Sequence, residues 1–191
     1  DATVAGTIQS GQNTTIAAAR DANLNGGVAV SNTGNASVTA GRDINGTGGL
    51  SVANDTTLSA GNNIAVSGAI QTGSNLGATA GQNLSLGATT VVGNSTLTAT
   101  NGSAALAGDA LSGGATTVTA GTNVNAQGSL KSIGDLNADA KTGNLTAAGP
   151  VSTAGNATLN AGQNLTLNGQ TTASKNANLT ATNITTQGVA V

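Results

Sequence analysis

The stretch Thr153–Gly169 reads TAGNATLNAGQNLTLNG. It carries no charge, no aromatic ring, no histidine and no cysteine. Ala157, Leu159 and Ala161 alternate in it with Thr158 and Asn160, the period-two pattern of a strand with one buried face. A close copy, TGNASVTAGRDINGTG, runs Thr33–Gly48, and another, NDTTLSAGNNIAVSG, runs Asn54–Gly68. A segment this bland, copied this faithfully, points to a repeat whose units cannot bury their apolar side alone.

Stepping by about twenty residues from Ala161 meets alanine nine times: Ala18, Ala40, Ala60, Ala80, Ala99, Ala120, Ala140, Ala161 and Ala181. Two residues earlier runs an apolar column of Ile16, Val38, Leu58, Ala78, Leu97, Val118, Ala138, Leu159 and Leu179. Three residues before that stand Asn13, Asn35, Asp55, Asn75, Asn94, Asp135, Asn156 and Asn176, broken by Ala115. A second such column follows the alanine: Asn23, Asp43, Asn63, Asn83, Asn123, Asn144, Asn164 and Asn183, broken by Ser103. Next come Leu24, Ile44, Ile64, Leu84, Ala104, Val124, Leu145, Leu165 and Ile184. Each unit then has a glycine: Gly6, Gly27, Gly48, Gly68, Gly87, Gly108, Gly128, Gly149, Gly169 and Gly188. A looser apolar column closes the unit and includes Ile8, Leu50, Ile70, Leu130 and Val151.

These columns predict an all-β fold: a right-handed parallel β-helix, or solenoid, of about nine coils of ~20 residues, with three short strands per coil. A helix would space its apolar residues by three and four, and Gly and β-branched residues at this density oppose it. Residues 1–191 read as one repeat segment. At ~4.8 Å per coil, nine coils make a rod on the order of 45 Å long. Alanine marks a tight corner, and Leu, Ile and Val fill a narrow interior. The glycines serve positive φ or close backbone approach at a bend. The Asn columns predict ladders in which each amide bonds its copy one coil away and satisfies corner backbone groups.

Composition narrows function by exclusion. The chain of 191 residues lacks Phe, Trp, Tyr, Met, Cys and His, and its charged fraction is 6% against roughly 25% for an ordinary domain. Its net charge of -2 leaves no basic patch for nucleic acid and no polybasic membrane anchor. No apolar run reaches the ~20 residues of a membrane span. Disorder pairs low hydrophobicity with high net charge, and here 37% of the residues are hydrophobic. The chain opens in mid-pattern at Asp1, so we expect a fragment of a longer filament.

Acid–base chemistry has only Asp and Lys to draw on. Asp43, Asp55 and Asp135 fall at ladder positions, where turn capping accounts for them. Asp135 and Asp139 are close in sequence, with Lys131 and Lys141 as neighbours, and together predict a solvated ion-pair group. The GG pairs are not followed by the G-G-x-G-x-D spacing of calcium-binding solenoids. No catalytic, cofactor-binding or metal-binding residue is assigned, no cofactor is expected, and the chain reads as a non-enzyme. The Asn-x-Ser/Thr sequons arise by composition. Outward residues form two files, Ser37, Thr57, Thr96, Thr117 and Thr158 beside Thr39, Ser59, Thr79, Thr98, Thr119 and Thr180. Such files are the basis of an alternative reading as an ice- or surface-binding face, against the plain preference of Thr for exposed strands.

The unit A-G-x-N-[LI]-x-[LV]-x-G, in AGNNIAVSG (60–68), AGQNLSLG (80–87) and AGQNLTLNG (161–169), resembles the filamentous haemagglutinin repeat of Gram-negative two-partner secretion exoproteins. The resemblance covers nearly the whole chain. It implies a right-handed β-helical shaft, exported through an outer-membrane transporter partner and held at or released from the cell surface. The parent protein would be an adhesin that meets glycans or receptors of host or neighbouring cells, or else the stalk of a contact-dependent toxin-delivery protein. The Asn-Pro-Asn-Leu signature of that family's secretion domain is absent, since the single proline, Pro150, follows Gly149.

Overall fold

The structure is a computed structural model, and it describes residues 1–30 and 33–191. The described residues form a three-sided parallel β-solenoid, with no helix. Sheet I has ten strands, from Ala2–Val4 to Asn183–Thr186. Sheet II also has ten, from Ile8–Ser10 to Val189–Ala190, and sheet III has nine, from Thr14–Ala18 to Ala177–Thr180. Each strand pairs with its equivalents one coil before and one coil after, because a short strand leaves its backbone groups unpaired until a neighbouring coil supplies them.

One coil shows how the pattern builds the interior. Leu76–Ala80, Leu84–Leu86 and Thr89–Val91 lie one on each side. Leu76, Ala78, Ala80, Leu84, Leu86, Thr89 and Val91 turn inward and are all buried, whereas Thr79, Ser85 and Thr90 turn outward and are exposed. Burying a leucine side chain contributes about 1.5–3 kcal/mol, so each coil is held by a few such residues and by its two neighbours. The alanine column is in register from Ala18 to Ala161. Ala181 lies just past the last paired position of sheet III. Corners stack as the flats do: the N–H of Gly81 donates to Ala60 O at 3.0 Å and that of Gln82 to Asn62 O at 2.7 Å.

The register departs from the expected columns most widely in the second coil, and at single glycines elsewhere, as where Gly108 stacks on Ala88 rather than on Gly87. Ala22, not Leu24, pairs with Ile44, and Leu24 pairs with Gly46. Between Ser10 and Thr14 stand three residues, whereas five stand between Val30 and Ala36, so the step there is 22 and a step of 20 misaligns the columns. By the same shift Gly26, not Gly27, lies beneath Gly48. At the far end Gly188 bonds Thr171, which places it beside Gln170 rather than Gly169. Close approach explains the glycine column: a Cβ on Gly48 would overlap the Gly26 carbonyl, and one on Gly68 the Gly48 carbonyl. Among the described residues positive φ occurs at one glycine, Gly188.

Candidate functional site

Two ladders run along two of the three corners. In the first, Asn75 donates to Asp55 Oδ1 from its backbone N–H at 2.9 Å and from Nδ2 at 3.0 Å. Asn94 N–H then donates to Asn75 Oδ1 at 2.9 Å, and Ala115 N–H to Asn94 Oδ1 at 2.8 Å. Above the Ala115 break the ladder resumes, with Asn156 donating to Asp135 Oδ1 from N–H at 2.7 Å and Nδ2 at 3.0 Å. The expectation of amide-to-amide rungs thus needs an addition: the side-chain oxygen chiefly accepts from the main chain of the next coil.

The second ladder begins at Asp1 and runs through Asp21 and Asp43 to Asn63, Asn83, Ser103, Asn123, Asn144, Asn164 and Asn183. Asp21 holds the rung expected of Asn23. Asn23 instead lies outward and accepts from Asn45 Nδ2 at 3.3 Å. The break at Ser103 is soft, because Ser103 N–H still donates to Asn83 Oδ1 at 3.0 Å and its hydroxyl meets Thr122 Oγ1 at 2.8 Å.

Charge gathers where the sequence reading did not place it. Arg20 Nη2 lies 3.0 Å from Asp1 Oδ2, and Arg42 pairs with Asp21 and lies 3.4 Å from Asp43 Oδ2. A stack of arginines beside a stack of ladder carboxylates results. The Arg42 hydrogen bond holds the Asp21 carboxyl below its ordinary value of 3.8, partial desolvation opposes this, and the Arg42 charge, the Asp43 N–H and Arg20 add to it. The expected ion-pair group around Asp135, Asp139, Lys131 and Lys141 does not form among the described residues. Asp139 is in the outward file of Thr119 and Asn160, and Lys131 is in the outward file of Leu111 and Ser152 on another sheet. Asp135 is held below 3.8 first by the Asn156 N–H, against some desolvation, with the Asn156 amide and the charge of Lys175 adding.

The threonine files are in register. Ser37, Thr57, Thr96, Thr117 and Thr158 share one outward column of sheet III, and Thr39, Ser59, Thr79, Thr98, Thr119 and Thr180 the next. Gly77, Asn137 and Asn178 interrupt the first file, and Asp139 and Asn160 the second.

Two features escaped the sequence reading. The interior carries hydroxyls: Thr56 and Thr72 meet at 2.8 Å, and Ser112 Oγ donates to Gly93 O at 2.7 Å. The buried hydroxyls of Thr89, Ser95, Thr116 and Thr171 have no partner among the described residues. Their signal was Thr or Ser at inward strand positions, as in TTVTA (116–120). Val92 and Ile133, 67% and 64% exposed, project from one corner column on either side of Gly113. Among the described residues, no three Asp side chains gather as a metal would need, and no helix is long and apolar enough to cross a membrane. No protein-family model, curated protein or solved structure matches the chain.

Proposed function

We propose that the chain is a stretch of stiff shaft in a surface filament of the filamentous haemagglutinin type, exported from a Gram-negative cell through an outer-membrane partner. It acts mechanically, holding binding modules of its parent away from the cell toward glycans or receptors of another cell. The observation that carries the reading is continuity: all three sheets run the length of the rod, and coils are bonded through flats and corners and, apart from the break at Ala115, through two side-chain ladders. Such a stack resists bending and pulling because no coil moves without breaking rungs on both sides. Nothing in the ladders is arranged for chemistry, so a non-enzymatic role fits; the same shaft serves an adhesin or a toxin-delivery stalk. Single-molecule pulling on the chain tests the shaft role. Extension in small, coil-sized steps at high force supports it, and one low-force unfolding event counts against it.

The registered threonine files favour a second reading, a face that orders water or an inorganic surface. Thermal hysteresis of the purified chain decides it; none is expected, because five interruptions leave no long stretch of paired hydroxyls.

A further inference from the structure

Asparagine precedes glycine four times, at Asn25-Gly26, Asn45-Gly46, Asn101-Gly102 and Asn168-Gly169. In such a pair the glycine nitrogen can attack the preceding side-chain amide, provided that neither group is held. Three of the pairs are held. Gly26 N–H donates to Val4 O at 2.9 Å. Asn45 Nδ2 donates to Asn23 Oδ1 at 3.3 Å, and Gly46 lies in a strand paired on both sides, with Leu24 and with Val66. Asn101 Nδ2 donates to Gly81 O at 2.9 Å, and Gly102 N–H to Gln82 O at 3.1 Å. Asn168 differs. Its own N–H is anchored on Ala147 O at 2.9 Å, but among the described residues its exposed side-chain amide makes no bond and the Gly169 N–H has no acceptor.

We propose that Asn168 is a site of self-modification: in the folded rod it deamidates through a cyclic imide, ahead of the other three pairs. Gly169 N gives up its proton to solvent base and bonds to Asn168 Cγ. The Cγ–Nδ2 bond breaks, and Nδ2 takes a proton from water and leaves as ammonia. Water then opens the ring at one of its two carbonyls, leaving aspartate or isoaspartate. Water is the only co-reactant. Glycine is the partner this step needs, since it has no Cβ to shield the attacking nitrogen. The fold adds the selection. A bonded N–H gives up its proton less readily and a bonded Nδ2 keeps its Cγ out of reach, so the held pairs react only from locally opened chain. Placement adds a consequence. Asn168 belongs to neither ladder, so a carboxylate there breaks no rung, and each event adds one negative charge to a net charge of -2. The change is irreversible, so the fraction converted records how long a folded rod has stood in water.

The site is independent of the shaft reading; pulling experiments test the one and peptide mapping the other. The folded full chain is held in mildly alkaline buffer at body temperature and sampled over weeks, with mass spectrometry locating each gain of one mass unit. Asn168 is expected to convert first, with Asn25, Asn45 and Asn101 slower by at least about tenfold. In guanidinium the four rates are expected to converge, because unfolding frees every pair. Gln127→Asn places an asparagine before Gly128 at the equivalent corner two coils below, where the glycine N–H is also without an acceptor among the described residues. That variant is expected to gain a second site that converts as fast as Asn168. No conversion at Asn168 in the folded chain, a lead by any of the other three, four equal rates in the folded chain, the same ranking in guanidinium, or no second site in Gln127→Asn overturns the proposal.

Discussion

Asn94 Oδ1 accepts the backbone N–H of Ala115 at 2.8 Å, and Ala115, having no side-chain acceptor, passes nothing on to Asp135 in the coil above. The ladder therefore has a missing rung between two intact halves. Ala115→Asn is expected to supply it and to raise unfolding stability by about 1 kcal/mol, read from the urea midpoint at unchanged slope.

Gly68 and Gly77 are both glycines of the rod but differ in what surrounds them. A Cβ on Gly68 would overlap the Gly48 carbonyl of the coil below, whereas one on Gly77 enters open space. Gly68→Ala is expected to destabilise by more than about 2 kcal/mol, because stacked backbone cannot give way as a side chain can. Gly77→Ala is expected to stabilise by about 0.5–1 kcal/mol through the unfolded chain. Thermal melts of the two variants make the comparison.

Buried hydroxyls divide in the same way. Thr72 bonds Thr56 inside the rod, and Thr116 has no partner among the described residues. Thr116→Val removes an unpaired polar group of nearly the same shape and is expected to stabilise by about 1 kcal/mol. Thr72→Val strands the Thr56 hydroxyl and is expected to cost about 1–2 kcal/mol. Chemical denaturation of both variants gives the sign.

Acid should weaken the rod through Asp21 and Asp135. Both carboxyls sit below their ordinary value of 3.8 in the folded chain, so their contribution is full above that value and is lost as pH falls through the folded value. Stability is expected to hold from neutral pH to about 5 and to decline below about 4. Asp21→Asn keeps a ladder acceptor and removes the titrating group. Its stability deficit against the parent chain is expected at neutral pH and should shrink as pH falls below about 4, measured by denaturant midpoints across the range.

Much of the solenoid was legible because stacking imposes one constraint per position, and the constraint repeats. The alanine column and the column from Ile16 to Leu179 needed only counting. The second coil was misread because its step is 22, and a step of 20 put Asn23 where Asp21 belongs. The pairs Arg20-Asp21 and Arg42-Asp43 carried the true step, since the second unit stacks on the first, with Arg42 on Asp21. Inward hydroxyls such as Thr56 and Ser112 were hidden because Thr and Ser suit either face of a strand. The open space beside Gly77 was hidden for another reason: a glycine in a strand signals close approach as readily as open space, and the fold alone separates the two.

The ladders also give the rod a direction. The backbone rungs run from the N–H of a later coil to the side-chain oxygen of an earlier one, as from Asn75 to Asp55 and from Ser103 to Asn83. An arriving coil therefore finds its acceptors already presented by the coil before it. The main-chain bonds between coils run both ways, so it is the side-chain ladders alone that give the stack its polarity, like the barbs along a feather's shaft.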